Sequence, residues 1–384
     1  MRIYKGVFIA VFMTMLTFPL ISVDLTSDRV SVQENRMLAN RPALADMKSH
    51  PDIFIRRFDD WFKDSTGFRE RLITLYNVIN NNTWYNGIWY TEGQNSYLIG
   101  EEGHRYYAGN GSLIGKFQGK PFLSNAQLTN MAAKLEEIKA YLDDKGIPLI
   151  VMFCTDKESV YPEFYPRSIK RGPEPIQLDV ITGYLQEHTG VDVFNIRKAL
   201  LAEKDNYLLH YKIDTMSFTS DFAHYTQIGA FFAYRELMKH INRYFPEIIP
   251  YELNDIDIRY DEIGKPRVSL KAKIVYKELD ASFFDDVNVK RPFTYENEAF
   301  ENEESGLPVI LFMRDSYTYS GAGEYFIGKY LPLHFGKAIF IHYVNIEHFE
   351  EYIDRYKPDI VVFESAEREL RAFVDVAAKI PELP

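Results

Sequence analysis

The sequence predicts an α/β fold built on a parallel sheet, and two observations carry that expectation. Three short, continuous apolar runs, Ile147–Cys154 (IPLIVMFC), Pro308–Met313 (PVILFM) and Asp359–Phe363 (DIVVF), have the character of strands covered on both faces. Amphipathic helical stretches alternate with them, which is the pattern of parallel strands joined by crossover helices. The 384-residue length allows two folded units, and 46% hydrophobic residues supply a sizeable core.

The elements follow in chain order. Arg2 and Lys5 precede an uncharged, mostly apolar stretch from Gly6 to Val23. It reads as an export signal, either retained as a membrane anchor with its basic end in the cytoplasm or cleaved, with a buried first helix as the remaining alternative. The body then lies outside the cytoplasmic membrane. Asp24 to Ala45 is polar and carries Pro42, as a linker or surface arm would. From Phe54 to Trp84 the apolar residues Phe58, Phe62, Leu72, Leu75 and Val78 recur at helical spacing around a Ser65-Thr66-Gly67 break. Two amphipathic helices are expected, with their Arg and Asp residues on a solvated face. Gly93 to Gly119 has the Gly, Tyr and Asn content of a loop with short strands.

A regular grammar begins at Ser124. Ser124 and Gln127 form a capping box, and Leu128, Met131, Leu135, Ile138 and Leu142 make one helical stripe that Gly146 ends. The strand Ile147–Cys154 follows, then a helix near Pro175–His188, a strand at Val191–Phe194 and a helix over Thr226–Phe245. Ile256–Val289 alternates polar and apolar residues and is expected to be an antiparallel insertion. Strands at Pro308–Met313, Ala338–Ile341 and Asp359–Phe363 complete the sheet, with helices at Gly323–Tyr330 and Ile346–Tyr356 between them. The expected organisation is residues 1–23 as signal, 24–120 as arm, helices and loops, and 121–384 as the main domain, with its β insertion near 251–300.

Charge and cysteine content exclude several classes. With 44 Lys and Arg against 55 Asp and Glu the net charge is −11, which disfavours nucleic acid as a partner. A single cysteine, Cys154, excludes an intrachain disulfide, and its place in an apolar run suits a core thiol. The nine histidines are too scattered for a zinc cluster, and phosphate-binding loops, nucleophile elbows and zinc-binding helices are absent from the sequence. Neither a metal nor an organic cofactor is expected.

Open parallel sheets bind ligands beyond the carboxyl ends of their strands, so the residues that follow each strand matter most. After Met313 come Arg314, Asp315, Ser316 and Tyr317. A serine there can present its hydroxyl for attack while its own N–H faces a developing oxyanion, although by itself a D-S pair is a weak signal beside the reading of a turn or cap residue. Asp221 and His224, three apart before the Thr226 helix, can place a carboxylate on imidazole Nδ1 and leave Nε2 to take a hydroxyl proton. The alternative is a capping aspartate beside a core or surface histidine. Lys157, in the loop after Cys154, is either an anion-binding residue at the rim or a solvated lysine. Glu364 and Glu367 read as supporting or helix-start carboxylates.

These residues resemble the SGNH-hydrolase-like family of alginate and exopolysaccharide O-acetyltransferases, AlgX/AlgJ-like and DHHW-type. The likeness runs in order from Phe54 to Leu370. It takes in R-F-D-D-W-F-K-D with F-R-E-R, D-K-E-S-V-Y-P-E-F-Y-P at Asp156–Pro166, D with H-Y-T-x-x-G-A at Asp221–Ala230, R-D-S-Y at Arg314–Tyr317, and K-P-D-I-V-V-F-E with E-R at Lys357–Arg368. The resemblance implies an SGNH-hydrolase-like (flavodoxin-like) sheet with helices on both faces, in a permuted order with Asp and His ahead of Ser. It also implies an extracytoplasmic enzyme that moves acetyl groups onto polysaccharide hydroxyls, fed by an integral membrane O-acyltransferase. Ser316 then resembles the nucleophile, His224 the base and Asp221 its orienter, with Arg314, Asp315, Tyr317, Lys157 and Tyr225 as oxyanion or substrate-binding candidates. Two residues separate Asp221 from His224, as in the wider SGNH superfamily, where the family's nearest members have one residue and then Trp. Arg314 stands where many SGNH members have Gly, which leaves the second oxyanion donor unassigned. An acetyl esterase and a non-catalytic glycan-binding scaffold, the latter suggested by the abundance of Tyr and Phe, are the alternatives.

Overall fold

The structure is a computed structural model. It describes residues 51–66, 88–92, 95–108, 112–210, 223–261, 266–273, 276–279, 281–284, 297–304, 306–318, 327–381 and 383, with scattered positions between 6 and 47. The chain divides into a small unit (residues 1–85 and 89–93) and a large one (86–88 and 94–384). Most of the apolar segment 6–23 lies outside the described residues, and among the described residues no helix is long and apolar enough to cross a membrane.

In the small unit the described elements are a two-stranded ladder, β1 (Val30–Ser31) with β2 (Arg36–Met37), and helix α1 (Pro51–Ser65). The first expected amphipathic helix is therefore present; the second lies outside the described residues. Phe54 and Trp61 are buried while Phe58, whose ring stacks between Phe54 and Phe62, is exposed. Asp64 is buried, and its carboxylate accepts the Ala39 N–H at 2.8 Å. Strand β3 (Ile88–Glu92) runs across the boundary between the units.

The large unit holds a seven-stranded sheet in the order β10-β11-β13-β12-β14-β6-β7. Its strands are β6 (Leu149–Cys154), β7 (Asp192–Asn195), β10 (Tyr276–Glu278), β11 (Glu298–Asn302), β12 (Val309–Arg314), β13 (Lys337–His342) and β14 (Ile360–Ala366). β13, β12, β14, β6 and β7 are parallel, whereas at one edge β11 runs antiparallel to β13 and β10 antiparallel to β11, so β11 alone is reversed. The all-parallel expectation is corrected here to a mixed sheet. Part of the expected insertion is a separate hairpin, β8 (Ile256–Tyr260) with β9 (Pro266–Leu270), and the next segments instead extend the main sheet.

Side chains alternate strictly between two cores, as the strand period of two requires. Leu149, Val151, Phe153, Leu311, Met313, Val361 and Phe363 pack against helices α3 (Asn125–Asp143), α5 (Gln177–His188), α8 (Phe349–Tyr356) and α9 (Leu370–Ala377). Ile150, Met152, Cys154, Ile310, Phe312, Ile360 and Val362 pack on the other face, against α6 (Arg197–Glu203) and α7 (Gln227–Ile241). The Ser124 capping box forms as expected. Of the helix expected at Gly323–Tyr330, residues up to 326 lie outside the described residues, and Ile327–Lys329 is a single 3-10 turn. Ahead of α3, a hairpin of β4 (Asn95–Ile99) and β5 (Arg105–Tyr107) leads to a short helix, α2 (Ser112–Phe117).

Candidate active site

The carboxyl ends of β12, β14 and β6 meet the start of α7, and the chain's local chemistry fixes how they meet. Thr226 caps α7: its hydroxyl accepts the Gly229 N–H at 3.2 Å and donates to the Leu208 carbonyl at 2.5 Å. Gly229 is required there because a Cβ would sit 2.2 Å from the Leu209 carbonyl oxygen. Just before the cap, Tyr225 bridges to His210 and donates its hydroxyl to the Thr155 carbonyl at 3.0 Å. Tyr225 is thus turned into the core, and its neighbour His224 is left half-buried at the surface.

After β12 the backbone turns on Asp315, whose carboxylate accepts the Tyr317 N–H at 2.8 Å and the Ala366 N–H as well. Ser316 is exposed on that turn, and its Oγ lies 3.0 Å from His224 Nε2. Tyr317 secures the pair from below. Its ring lies 5.1 Å from the imidazole, and its hydroxyl donates to the carbonyl of Ala223, the residue before His224, at 2.8 Å. The Nη2 of Arg368 also approaches His224 Nε2, at 3.4 Å. The guanidinium can only donate and the serine hydroxyl can donate too, so Nε2 is assigned as the acceptor, with the ring proton on Nδ1. Burial, with Arg368 adding to it and Asp156 opposing, pushes His224 down to about 3, which favours the uncharged imidazole and leaves the Nε2 lone pair open.

Behind this pair is a buried charged assembly. Arg368 Nη1 donates to Asp156 Oδ1 at 2.7 Å and to the Tyr317 hydroxyl at 2.9 Å. Lys116, from α2, reaches Asp156, Glu158 and Glu367 at 2.9, 3.1 and 3.0 Å. Glu367 in turn accepts the Asp156 N–H at 3.0 Å and the Ser159 hydroxyl at 2.8 Å. Burial works against the Asp156 charge, but Lys116 and Arg368 outweigh it and hold the carboxyl below its ordinary value. Glu158, with burial dominant and the other two carboxylates adding, is pushed up to about 7. Burial and the Asp315 charge raise Glu364 well above the carboxylate range, and it accepts the Cys154 thiol at 3.1 Å. Cys154 is a fully buried thiol, as expected, and burial raises its pKa further.

The structure brings Ser316 and His224 together across 92 positions of sequence; Asp221 lies outside the described residues. The other candidates are all buried. Arg314 donates to the Asp315 carbonyl at 3.2 Å, and Asp315, Tyr317 and Tyr225 make the supporting bonds described above. Lys157 begins a one-turn helix, α4 (Lys157–Val160), with its ammonium on the Arg105 carbonyl at 2.9 Å and over the Tyr106 ring. It is neither at an open rim nor solvated, because the β4–β5 hairpin covers it. These five side chains brace the site from within. Sequence reasoning gave no role to Arg368, Asp156 or Lys116. The first two follow strands and share a run with motifs already singled out, whereas nothing near Lys116 marks it. Among the described residues no group of His, Cys, Asp and Glu is arranged to hold a metal ion.

A serine exposed beyond a parallel strand thus meets a histidine from the head of a helix, an arrangement compatible with the SGNH-hydrolase-like α/β fold. Residues 117–254 match the family model described as SGNH hydrolase-like domain, acetyltransferase AlgX, which bears out the resemblance read from the sequence. That segment contains His224 and ends before Ser316. Among solved structures, a DHHW family protein from Eubacterium siraeum is similar, with 12% identity, a TM-score of 0.50 and coverage of 76% of this chain and 97% of that one. Bacillus cereus PatB1 (12% identity, TM-score 0.49, 72% and 97% covered) and the O-acetyltransferase domain of Pseudomonas putida AlgJ (12%, 0.44, 73% and 98%) are also similar. At these identities the first of the three supports the shared fold. No curated protein sequence matches the chain.

Proposed function

We propose that the protein is a serine O-acetyltransferase that acetylates hydroxyls of an extracytoplasmic polysaccharide. One observation carries this reading: the 3.0 Å contact between the exposed Ser316 Oγ and His224 Nε2 at the carboxyl edge of the sheet. Ser316 attacks the acetyl carbonyl while Nε2 takes its proton, and the leaving group departs with that proton, leaving an acetyl ester on Oγ. A sugar hydroxyl then gives its proton to Nε2, attacks the ester and regenerates the serine. Asp221 accepts from Nδ1–H in this scheme and steadies the imidazolium. The Ser316 N–H is one oxyanion donor. The acetyl group comes from an integral membrane O-acyltransferase, and the apolar segment 6–23, behind Arg2 and Lys5, exports the chain and anchors it.

The test is Ser316→Ala in cells that make the polymer. Acetyl content should fall by about 10³-fold or to background, with the protein still folded. Unchanged acetylation would overturn the proposal. Supplying a chromogenic acetyl ester with an oligosaccharide separates transfer from hydrolysis: acetyl on sugar, read by mass spectrometry, supports the transferase, and free acetate alone assigns an esterase.

A further inference from the structure

Arg368 sits in the 3-10 turn that follows β14, Glu367–Glu369, with its side chain 8% exposed. Its two terminal nitrogens face different ways. Nη1 is committed to Asp156, to the Tyr317 hydroxyl and, at 3.5 Å, to the Ala223 carbonyl. Nη2 points at His224 Nε2, the nitrogen that also faces Ser316 Oγ. The guanidinium is held from behind, since Lys116 clamps the far oxygen of Asp156 and the Tyr317 ring lies 4.8 Å beneath the cation. Such a rigid cation at a reacting nitrogen is more than the neutralisation of Asp156 requires, because one nitrogen suffices for that.

We propose that Arg368 is a catalytic residue whose Nη2–H shares the His224 Nε2 lone pair with the Ser316 hydroxyl and passes to the oxyanion when the serine proton takes that lone pair. The proposal rests on Ser316 and His224 being nucleophile and base. As Oγ bonds to the acyl carbon, its proton goes to Nε2 and the carbonyl electron pair moves onto oxygen. Nε2 then has no lone pair left to accept the Arg368 N–H, and a new negative charge stands nearby to receive it. The donor is thus released at the moment the charge forms, so it favours the transition state over the resting state. Imidazolium and guanidinium repel each other, a cost that the oxyanion offsets while its charge stands beside them; as that charge collapses, the repulsion drives the proton on to the leaving group. When the tetrahedral adduct collapses, the carbonyl re-forms, Nε2 regains its lone pair and Nη2–H returns to it. This supplies the second oxyanion donor that Arg314, buried and turned to the Asp315 carbonyl, does not provide.

The test measures kcat/KM for a chromogenic acetyl ester against pH for the wild type, Arg368→Gln, Arg368→Lys and Ser316→Ala. Arg368→Gln should lower kcat about 10²- to 10³-fold with KM little changed. It should also move the acid limb to higher pH, because removing the cation lets His224 protonate more readily. Arg368→Lys keeps the charge, so its acid limb should stay near that of the wild type while kcat falls for want of the second nitrogen. Added guanidinium should restore part of the Arg368→Gln rate. A folded Arg368→Gln protein within about threefold of wild type and with an unmoved limb would overturn the proposal. If Arg368→Gln does not fold, an unchanged kcat in Arg368→Lys overturns it instead. An active Ser316→Ala protein would sink the underlying reading, whereas an inactive one beside unaffected Arg368 variants would sink only this inference.

Discussion

The two ends of the central strands obey different electrostatics. At the amino end of β6 and β14, charges stay in water: Lys145 and Asp354 pair at 3.7 Å with side chains 38% and 67% exposed. At the carboxyl end of the same strands, Lys116, Arg368 and the carboxylates of Asp156, Glu158 and Glu367 are packed together out of solvent. An exposed pair adds little to stability, and a buried cluster is expensive to desolvate and damaging to break. A fold that needed only stability would not concentrate charge at one end of its sheet. The carboxyl-end cluster instead holds Arg368 and Tyr317, and through them His224 and Ser316, in one arrangement.

The largest effect expected of that contrast comes from removing the central cation. Lys116→Met should destabilise the protein by about 3–5 kcal/mol in urea unfolding, because it strands buried carboxylates. A loss under about 1 kcal/mol would mean that water reaches the cluster as freely as it reaches the other end.

A smaller, pH-dependent effect follows from Glu158, whose folded value is raised from 4.5 to about 7. A raised carboxyl binds more protons in the folded state than in the unfolded state across that window, so its contribution to stability falls as pH climbs through it. Glu158→Gln removes the titration. Its unfolding midpoint should match wild type near pH 4, below the unfolded value, and exceed it at pH 8. Parallel curves for the two proteins would show that Glu158 is already ionised throughout. The smallest effect belongs to the opposite end, where Lys145→Ala should change stability by no more than about 0.5 kcal/mol.

The sequence made the local elements of the large unit legible because each apolar run and helical stripe reports directly on burial. β6, β12, β13 and β14 stand where Ile147–Cys154, Pro308–Met313, Ala338–Ile341 and Asp359–Phe363 predicted them. That the antiparallel segments join the main sheet was not legible: Tyr276–Glu278 lies in the expected antiparallel insertion, but it and Glu298–Asn302 are short, and their pairing depends on partners far along the chain. Ser316 and His224 could be read because strand ends and helix starts are marked in the sequence. Lys116 could not, because a lysine in a six-residue helix carries no sign of the three carboxylates it will meet. The inward turn of Lys157 was hidden for a similar reason, since it depends on the β4–β5 hairpin that covers it.

The central claim, that Ser316 Oγ carries the acetyl group on its way to the acceptor, is open to direct chemical capture. Protein mixed with an activated acetyl ester, quenched in acid within the first turnovers and mapped by peptide mass spectrometry, should carry one acetyl group on the Ser316 peptide. The same treatment of His224→Ala should leave that peptide unmodified. Stoichiometric acetyl on another residue, or undiminished turnover with Ser316 replaced by alanine, would contradict the account.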